Sequence, residues 1–179
     1  MKQSQKIAYS GLITAFSAVM MIFSNFVPNV LFSFPALAGI VIYTLSFVSG
    51  SGYALISYAA VSIISLFLCG NKAVSVCFIL FLGYYPILKK RLEKLKIKVI
   101  SFIIKLLVFN AAAVSAYFIM LLVFSSPVFT KWVNESWVTV LLLIALNIIF
   151  LIYDLGLTLV FRKYEERIYN FVTKLLGKF

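Results

Sequence analysis

Two ionisable side chains, Lys105 and Asp154, lie inside long apolar runs of the sequence. A charge at membrane depth is costly, so such residues usually face the interior of a helix bundle and pair there. Lys105 lies six residues after the start of a run at 99, and Asp154 lies seven residues before the end of a run at 161. Both are then about 10 Å inside one boundary. This matching depth predicts a structural ion pair; the alternative is that Lys105 snorkels to the interface and Asp154 meets water or a loop lysine.

Two asparagines extend this polar pattern deeper into the same apolar runs. Asn147 lies seven residues before Asp154, and therefore on the same face of a helix. Asn110 lies at a comparable depth on the helix that carries Lys105. Amide side chains hydrogen-bond across helices in membranes. We therefore expect the two asparagine side chains to meet.

The sequence shows no other pattern that is typical of catalysis. Histidine is absent, only five residues are acidic, and no carboxylate dyad, nucleophile–base pair or glycine-rich phosphate loop occurs. Cys69 and Cys77 have apolar surroundings without metal-ligand spacing, which is typical of buried thiols. The net charge of +11 does not indicate nucleic acid, because the basic residues form no continuous stripe. We expect no enzyme activity, metal, cofactor or nucleic-acid partner.

The elements that must position these residues are membrane helices. Of the 179 residues, 64% are hydrophobic and 12% charged, and the mean hydropathy is +1.10. Runs of 18 or more apolar residues are long enough to cross a bilayer as helices. The sequence predicts one all-α membrane domain over 1–179, a bundle of six transmembrane helices with the fourth ending near Pro86. The predicted spans are 7–24, 31–49, 53–69, 73–88, 99–124 and 137–161.

The positive charges predict the orientation of these helices, since lysine and arginine in short loops are held on the cytoplasmic side. Lys2 and Lys6 contribute +2, the segment 89–98 contributes +5, and the tail after Phe161 contributes +3. The opposite loops carry Lys72 and the mutually cancelling Lys131 and Glu135. We therefore expect a multi-pass protein of the cell membrane, in contact with the lipid bilayer, with both termini in the cytoplasm.

A stripe of small residues follows one face of the first predicted helix. Its members, at spacings of three, four and three, are Ala8, Gly11, Ala15 and Ala18. Such a stripe lets another helix approach closely. The partner is either another helix of this chain or a separate protein.

Polar and aromatic residues gather in the loops of the predicted outer side. They are Asn25, Asn29, Asn71, Lys72, Trp132, Asn134, Glu135 and Trp137. These residues are candidate ligand contacts at the mouth of the bundle, although the two tryptophans also fit an ordinary interfacial aromatic belt. On the inner side, the loop 89–98 alternates basic and apolar residues, which suits anionic lipid headgroups or simply marks the cytoplasmic face.

Three features of the chain resemble the S component, the substrate-binding membrane subunit, of energy-coupling-factor vitamin transporters. They are the small-residue step of Gly11 and Ala15, the glycine-flanked hairpin 48–54, and the segment FLGYYPILKKRLEK at the end of the fourth span. The resemblance implies six helices and capture of a vitamin-like small molecule at the outer face. It also implies docking through the first helix onto a transmembrane coupling subunit, driven by ATP-binding-cassette ATPases. The alternative is a membrane scaffold without a solute ligand.

Overall fold

The computed structural model describes residues 3–27, 32–95, 97–122 and 136–176, and within these ranges the regular elements are helices. In chain order, the α-helices are α1 (Gln3–Phe23), α2 (Ser33–Val48), α3 (Ser51–Leu68), α4 (Lys72–Cys77), α5 (Tyr85–Leu92), α6 (Lys98–Leu122) and α7 (Ser136–Leu176). A π-helical turn, Phe78–Leu82, connects α4 to α5.

Five helical stretches of the described chain are long and apolar enough to cross a membrane. They are Gln3–Phe23, Ser51–Leu68, Lys72–Leu92, Lys98–Leu121 and Val140–Phe161. Helix α2 is apolar but has only 16 residues. The predicted all-helical class is therefore confirmed over the described residues, and five of these stretches have the length and apolarity of membrane spans, whereas the bundle of six spans stays a prediction.

The shortest of these apolar helices, α2, is central to the packing. It contacts α1, α3, α5, the π turn and α7. Its buried residues include Ala38, Gly39, Ile42 and Leu45. By contrast, large apolar side chains of α6 and α7, such as Leu107 and Ile152, are exposed. An apolar outer surface around a close-packed centre is the arrangement that lipid solvation permits, because lipid tails are as apolar as these side chains.

Helix α1 packs against α2 and α3 through small side chains. Ser10, Ser17 and Ala18 are buried on its inner face, and Thr14 donates a hydrogen bond of 2.8 Å to the hydroxyl of Ser57 on α3. Small residues bring helix backbones close together and so increase the dispersion contacts between them. The first three helices are thus held mainly by close approach.

The fourth predicted span is interrupted by the π turn rather than being one regular helix. The Tyr58 hydroxyl donates a hydrogen bond of 2.5 Å to the carbonyl oxygen of Ile79 within this turn. Pro86 lies in the first turn of α5, and the helix continues to Leu92. The helix therefore does not end near Pro86, because proline suits the first turn of a helix, where its missing N–H has no intrahelical partner to lose. The membrane boundary of this span stays a prediction.

The last helix also differs from the predicted boundary, since α7 has 41 residues and continues past Phe161 to Leu176. At 1.5 Å per residue it is about 60 Å long, about twice the thickness of a bilayer's hydrocarbon core. The charged residues after Phe161 marked the end of the apolar run. They did not mark the end of the helix, because lysine, arginine and glutamate are good helix formers in water.

Replacing Gly39 by alanine is expected to destabilise the fold, because α2 passes directly over the π turn at this point. A Cβ at position 39 would overlap the carbonyl oxygen of Leu82. Overpacking of this kind typically costs about 1 to 3 kcal/mol. Thermal unfolding of purified Gly39→Ala in detergent measures the loss. The matched control is Gly156→Ala on α7, where an added Cβ meets nothing within 4 Å; equal stability of the two variants would contradict this close approach.

Candidate functional site

The most concentrated polar site of the described chain surrounds the carboxylate of Asp154. Lys89 Nζ lies 2.6 Å from Asp154 Oδ1 and 2.7 Å from the Thr158 hydroxyl, and it also donates to the carbonyl oxygen of Asp154. The Lys89 side chain is completely buried. A buried ammonium requires such partners, because an unpaired charge in an apolar interior is strongly unfavourable. Lys89 therefore joins α5 to α7.

Lys105 joins α6 to the same carboxylate. Its Nζ lies 3.3 Å from Asp154 Oδ2 and 3.2 Å from Glu93 Oε1, and Glu93 Oε1 also lies 3.4 Å from Lys89 Nζ. Two lysines and two carboxylates thus form an electrically neutral charge quartet. The structure places Lys105 beside Asp154, and the Lys105 side chain is only 8% exposed rather than extended to the interface.

Aromatic side chains cover the apolar side of the charge quartet. The buried Tyr85 donates a hydrogen bond of 2.5 Å from its hydroxyl to Asp154 Oδ1. Its ring stacks on Phe81 at a centroid distance of 4.4 Å, and Phe109 of α6 stacks on Phe150 of α7 at 4.6 Å. Because these rings keep the surroundings apolar, the charges of Lys89, Lys105 and Asp154 depend on their partners in the protein, whereas the Glu93 side chain is 41% exposed.

About two helical turns before Asp154 on α7, the side chains of Asn147 and Asn110 form a reciprocal hydrogen-bonded pair. Asn110 Nδ2 lies 3.0 Å from Asn147 Oδ1, and Asn147 Nδ2 lies 3.2 Å from Asn110 Oδ1. Each amide also donates to the carbonyl oxygen four residues earlier in its own helix. The asparagine pair and the charge quartet together align α6 and α7 as antiparallel neighbours.

Four members of this site were missed by the sequence analysis: Lys89, Glu93, Tyr85 and Thr158. Lys89 and Glu93 were assigned to the cytoplasmic loop, because the apolar run ends just before them. The spacing of Tyr85, Lys89 and Glu93 is a readable signal, since residues four apart share one face of a helix. Interpreting the residues from Tyr85 onward as a helix, with Pro86 in its first turn, reveals this stripe.

The small-residue stripe of α1 is divided by the packing. Ala8, Gly11 and Ala15 are exposed on the surface of the bundle, whereas Ala18 is buried. A Cβ added at Gly11 would meet nothing within 4 Å. The three exposed members therefore form a smooth outward face, referred to below as the small face, and Ala18 belongs to the core.

Three of the candidate ligand contacts, Asn25, Asn71 and Lys72, make hydrogen bonds within the chain. Asn25 Oδ1 accepts from the backbone N–H groups of Gly70 at 3.0 Å and Asn71 at 3.4 Å. The Asn71 side chain caps α4, and Lys72 Nζ donates to the carbonyl oxygens of Leu66 and Cys69. These bonds tie the end of α1 to the α3–α4 turn. Trp137 lies in the first turn of α7. Four candidates lie outside the described residues: Asn29, Trp132, Asn134 and Glu135.

Metal ligands and open grooves were the remaining candidate features of the described residues. These residues contain no group of three or more histidine, cysteine, aspartate or glutamate residues that could hold a metal ion.

An open groove of about 720 Å³ follows α6 and is lined by residues such as Phe102, Leu106, Asn110 and Val114. The Asn110 amide is already bonded to Asn147, so the groove is apolar in character and suits an acyl chain better than a polar solute.

No protein-family model, curated protein or solved structure matches this chain. The resemblance to S components, which depends on the residues quoted above, therefore stays a proposal.

Removing one member of the charge quartet is expected to destabilise the protein far more than removing two opposite members together. Asp154→Asn leaves one excess positive charge and Lys89→Met leaves one excess negative charge, and breaking a buried pair in this way costs about 3 to 5 kcal/mol. The double variant Lys89→Met/Asp154→Asn keeps Lys105 with Glu93 and restores neutrality. Unfolding of the three variants in detergent measures the costs; additive losses in the double variant would contradict a coupled quartet.

Proposed function

We propose that this chain is the membrane-embedded, substrate-binding S component of an energy-coupling-factor transporter. It captures a vitamin-like small molecule and delivers it to an ATP-driven partner module. The observation that carries the proposal is the small face of α1, Ala8, Gly11 and Ala15, which points away from the chain's own helices. The chain itself hydrolyses nothing in this mechanism.

The small face supports partner docking because its neighbours on α1 are large and apolar. Leu12 and Phe16 are 68% and 53% exposed, so large apolar side chains lie beside Gly11 and Ala15 on the same surface. In lipid, helices associate where small residues let the backbones approach closely. A transmembrane coupling subunit, associated with ATP-binding-cassette ATPases, is the partner that the resemblance implies for this surface.

The proposal includes a bundle of six spans in the cell membrane with both termini in the cytoplasm. The excess of lysine and arginine at the N-terminus, at 89–98 and after Phe161 supports this orientation. The charge quartet then lies near the cytoplasmic boundary and holds α5, α6 and α7 together. Helix α1 is left at the periphery, where it is accessible to a partner.

Filling the small face is expected to prevent assembly without unfolding the chain. Gly11→Leu/Ala15→Leu adds bulk where the chain has open space, so the variant should retain its thermal stability in detergent. Co-purification with a co-expressed coupling subunit and its ATPases should be lost, since the leucines hold the partner backbone away. The matched control is Gly52→Leu/Ala59→Leu, which alters an exposed glycine and an exposed alanine on α3.

The control variant should assemble like the unmodified chain. If Gly11→Leu/Ala15→Leu stayed folded and still assembled fully, the docking surface would lie elsewhere. A loss of stability in the isolated variant would instead indicate that the small face packs inside the chain's own bundle.

A membrane scaffold without a solute ligand is the second candidate. It is favoured by the hydrogen bonds of Asn25, Asn71 and Lys72, whose polar groups close the outer loops. A scaffold needs rigid loops and a docking face, but no polar pocket. The two candidates share the small face and differ in whether a small molecule is bound.

Ligand retention distinguishes the two candidates. An S component purified from its host in mild detergent is expected to carry a stoichiometric small molecule, which is released by denaturation and identified by mass spectrometry. The control is a mock purification from cells that lack the chain. If the folded and assembled protein released no small molecule above the level of this control, the scaffold would be favoured.

A further inference from the structure

The segment 89–98, which covers the last turn of α5 and the connection to the start of α6, carries six basic residues. Lys96 lies outside the described residues, and the structure separates the other five into two groups. Lys89 is buried in the charge quartet. Lys90 Nζ lies 3.4 Å from the centroid of the Phe47 ring and 5.8 Å from that of Tyr43, which is a cation–π contact. These two lysines are therefore committed to contacts within the protein.

The single acidic residue of this segment is also committed. Glu93 Oε1 lies 3.4 Å from Lys89 Nζ and 3.2 Å from Lys105 Nζ. Its charge is balanced by buried lysines, so it does not neutralise the basic side chains on the surface. The exposed basic side chains of the segment are therefore available to a negatively charged partner outside the chain.

Three basic residues of the segment, Arg91, Lys94 and Lys98, are exposed. Large apolar side chains accompany them: Leu95 is 43% exposed, Ile97 is 56% exposed and Val99 is 66% exposed. We call these six residues the basic rim. It lies at the end of α5 and the start of α6, where the apolar surface of the membrane-crossing helices begins.

We propose that the basic rim binds the headgroups of anionic phospholipids in the adjoining leaflet. Arginine and lysine recognise the phosphodiester, and the interleaved apolar side chains enter the boundary between headgroups and acyl chains. This combination is specific to a lipid surface, since a nucleic acid or an acidic peptide would leave Ile97 and Val99 exposed to water. Juxtamembrane basic residues each contribute about fivefold to such binding.

The test compares the full-length chain with a neutralised rim, Arg91→Gln/Lys94→Gln/Lys98→Gln. Each protein, in detergent, is given an equimolar mixture of dioleoyl phosphatidylglycerol and dioleoyl phosphatidylcholine, and native mass spectrometry counts the lipids retained. The unmodified chain is expected to retain more phosphatidylglycerol than phosphatidylcholine. In the variant with the neutralised rim, this ratio of retained lipids should fall at least tenfold. The charge-preserving variant Arg91→Lys/Lys94→Arg/Lys98→Arg should keep it.

A matched pair of single variants controls for net charge. Lys94→Gln should weaken the preference, whereas Lys72→Gln, at the opposite end of the α4–α5 stretch, should not. Circular dichroism checks that each variant is folded. Equal preference in the neutralised and unmodified chains would overturn the proposal. Complete displacement of the lipid by soluble glycerophosphate would also overturn it, because the site would then bind free phosphate rather than a lipid surface.

Discussion

The carboxylate of Asp154 is the interaction on which the arrangement of the last three helices depends. It receives Lys89 from α5, Lys105 from α6 and the Tyr85 hydroxyl, and it belongs itself to α7. Both ammonium groups also contact Glu93 Oε1, so two lysines and two carboxylates hold the three helices together at one point. The quartet fixes the positions of the helices more than it stabilises the fold, because the attraction within a buried ion pair is largely offset by the cost of desolvating the two charges.

The two halves of the bundle are held together by different physical means. Helices α1 to α3 rely on small residues such as Ser17, Ala38 and Ala54, whose close approach maximises dispersion contacts. The second half relies on stacked aromatic rings, the asparagine pair and the charge quartet. Helix α2 connects the halves, since it packs against α1 and α3 on one side and against the π turn and α7 on the other.

This difference between the two halves of the bundle is consistent with the function we propose. The polar contacts anchor α5, α6 and α7 to one another, whereas α1 has one side packed on the core and the small face turned outward. A partner can approach α1 without disturbing any of the charged contacts. The basic rim lies next to the charge quartet, so the contacts that order the helices also decide which basic residues remain exposed.

The sequence by itself determined the helical membrane class, because the length and apolarity of each run are local properties. It also indicated that Lys105 and Asp154 lie at one depth, and Asn110 near Asn147, since helical rise and charge bias suffice for that. Only the tertiary structure revealed that Lys89, 65 residues from Asp154, is its closest ionic partner. It also decided which side of α1 faces outward, and it placed the π turn against Gly39. These features depend on how each helix is rotated against its neighbours, which local patterns of small and apolar residues do not specify.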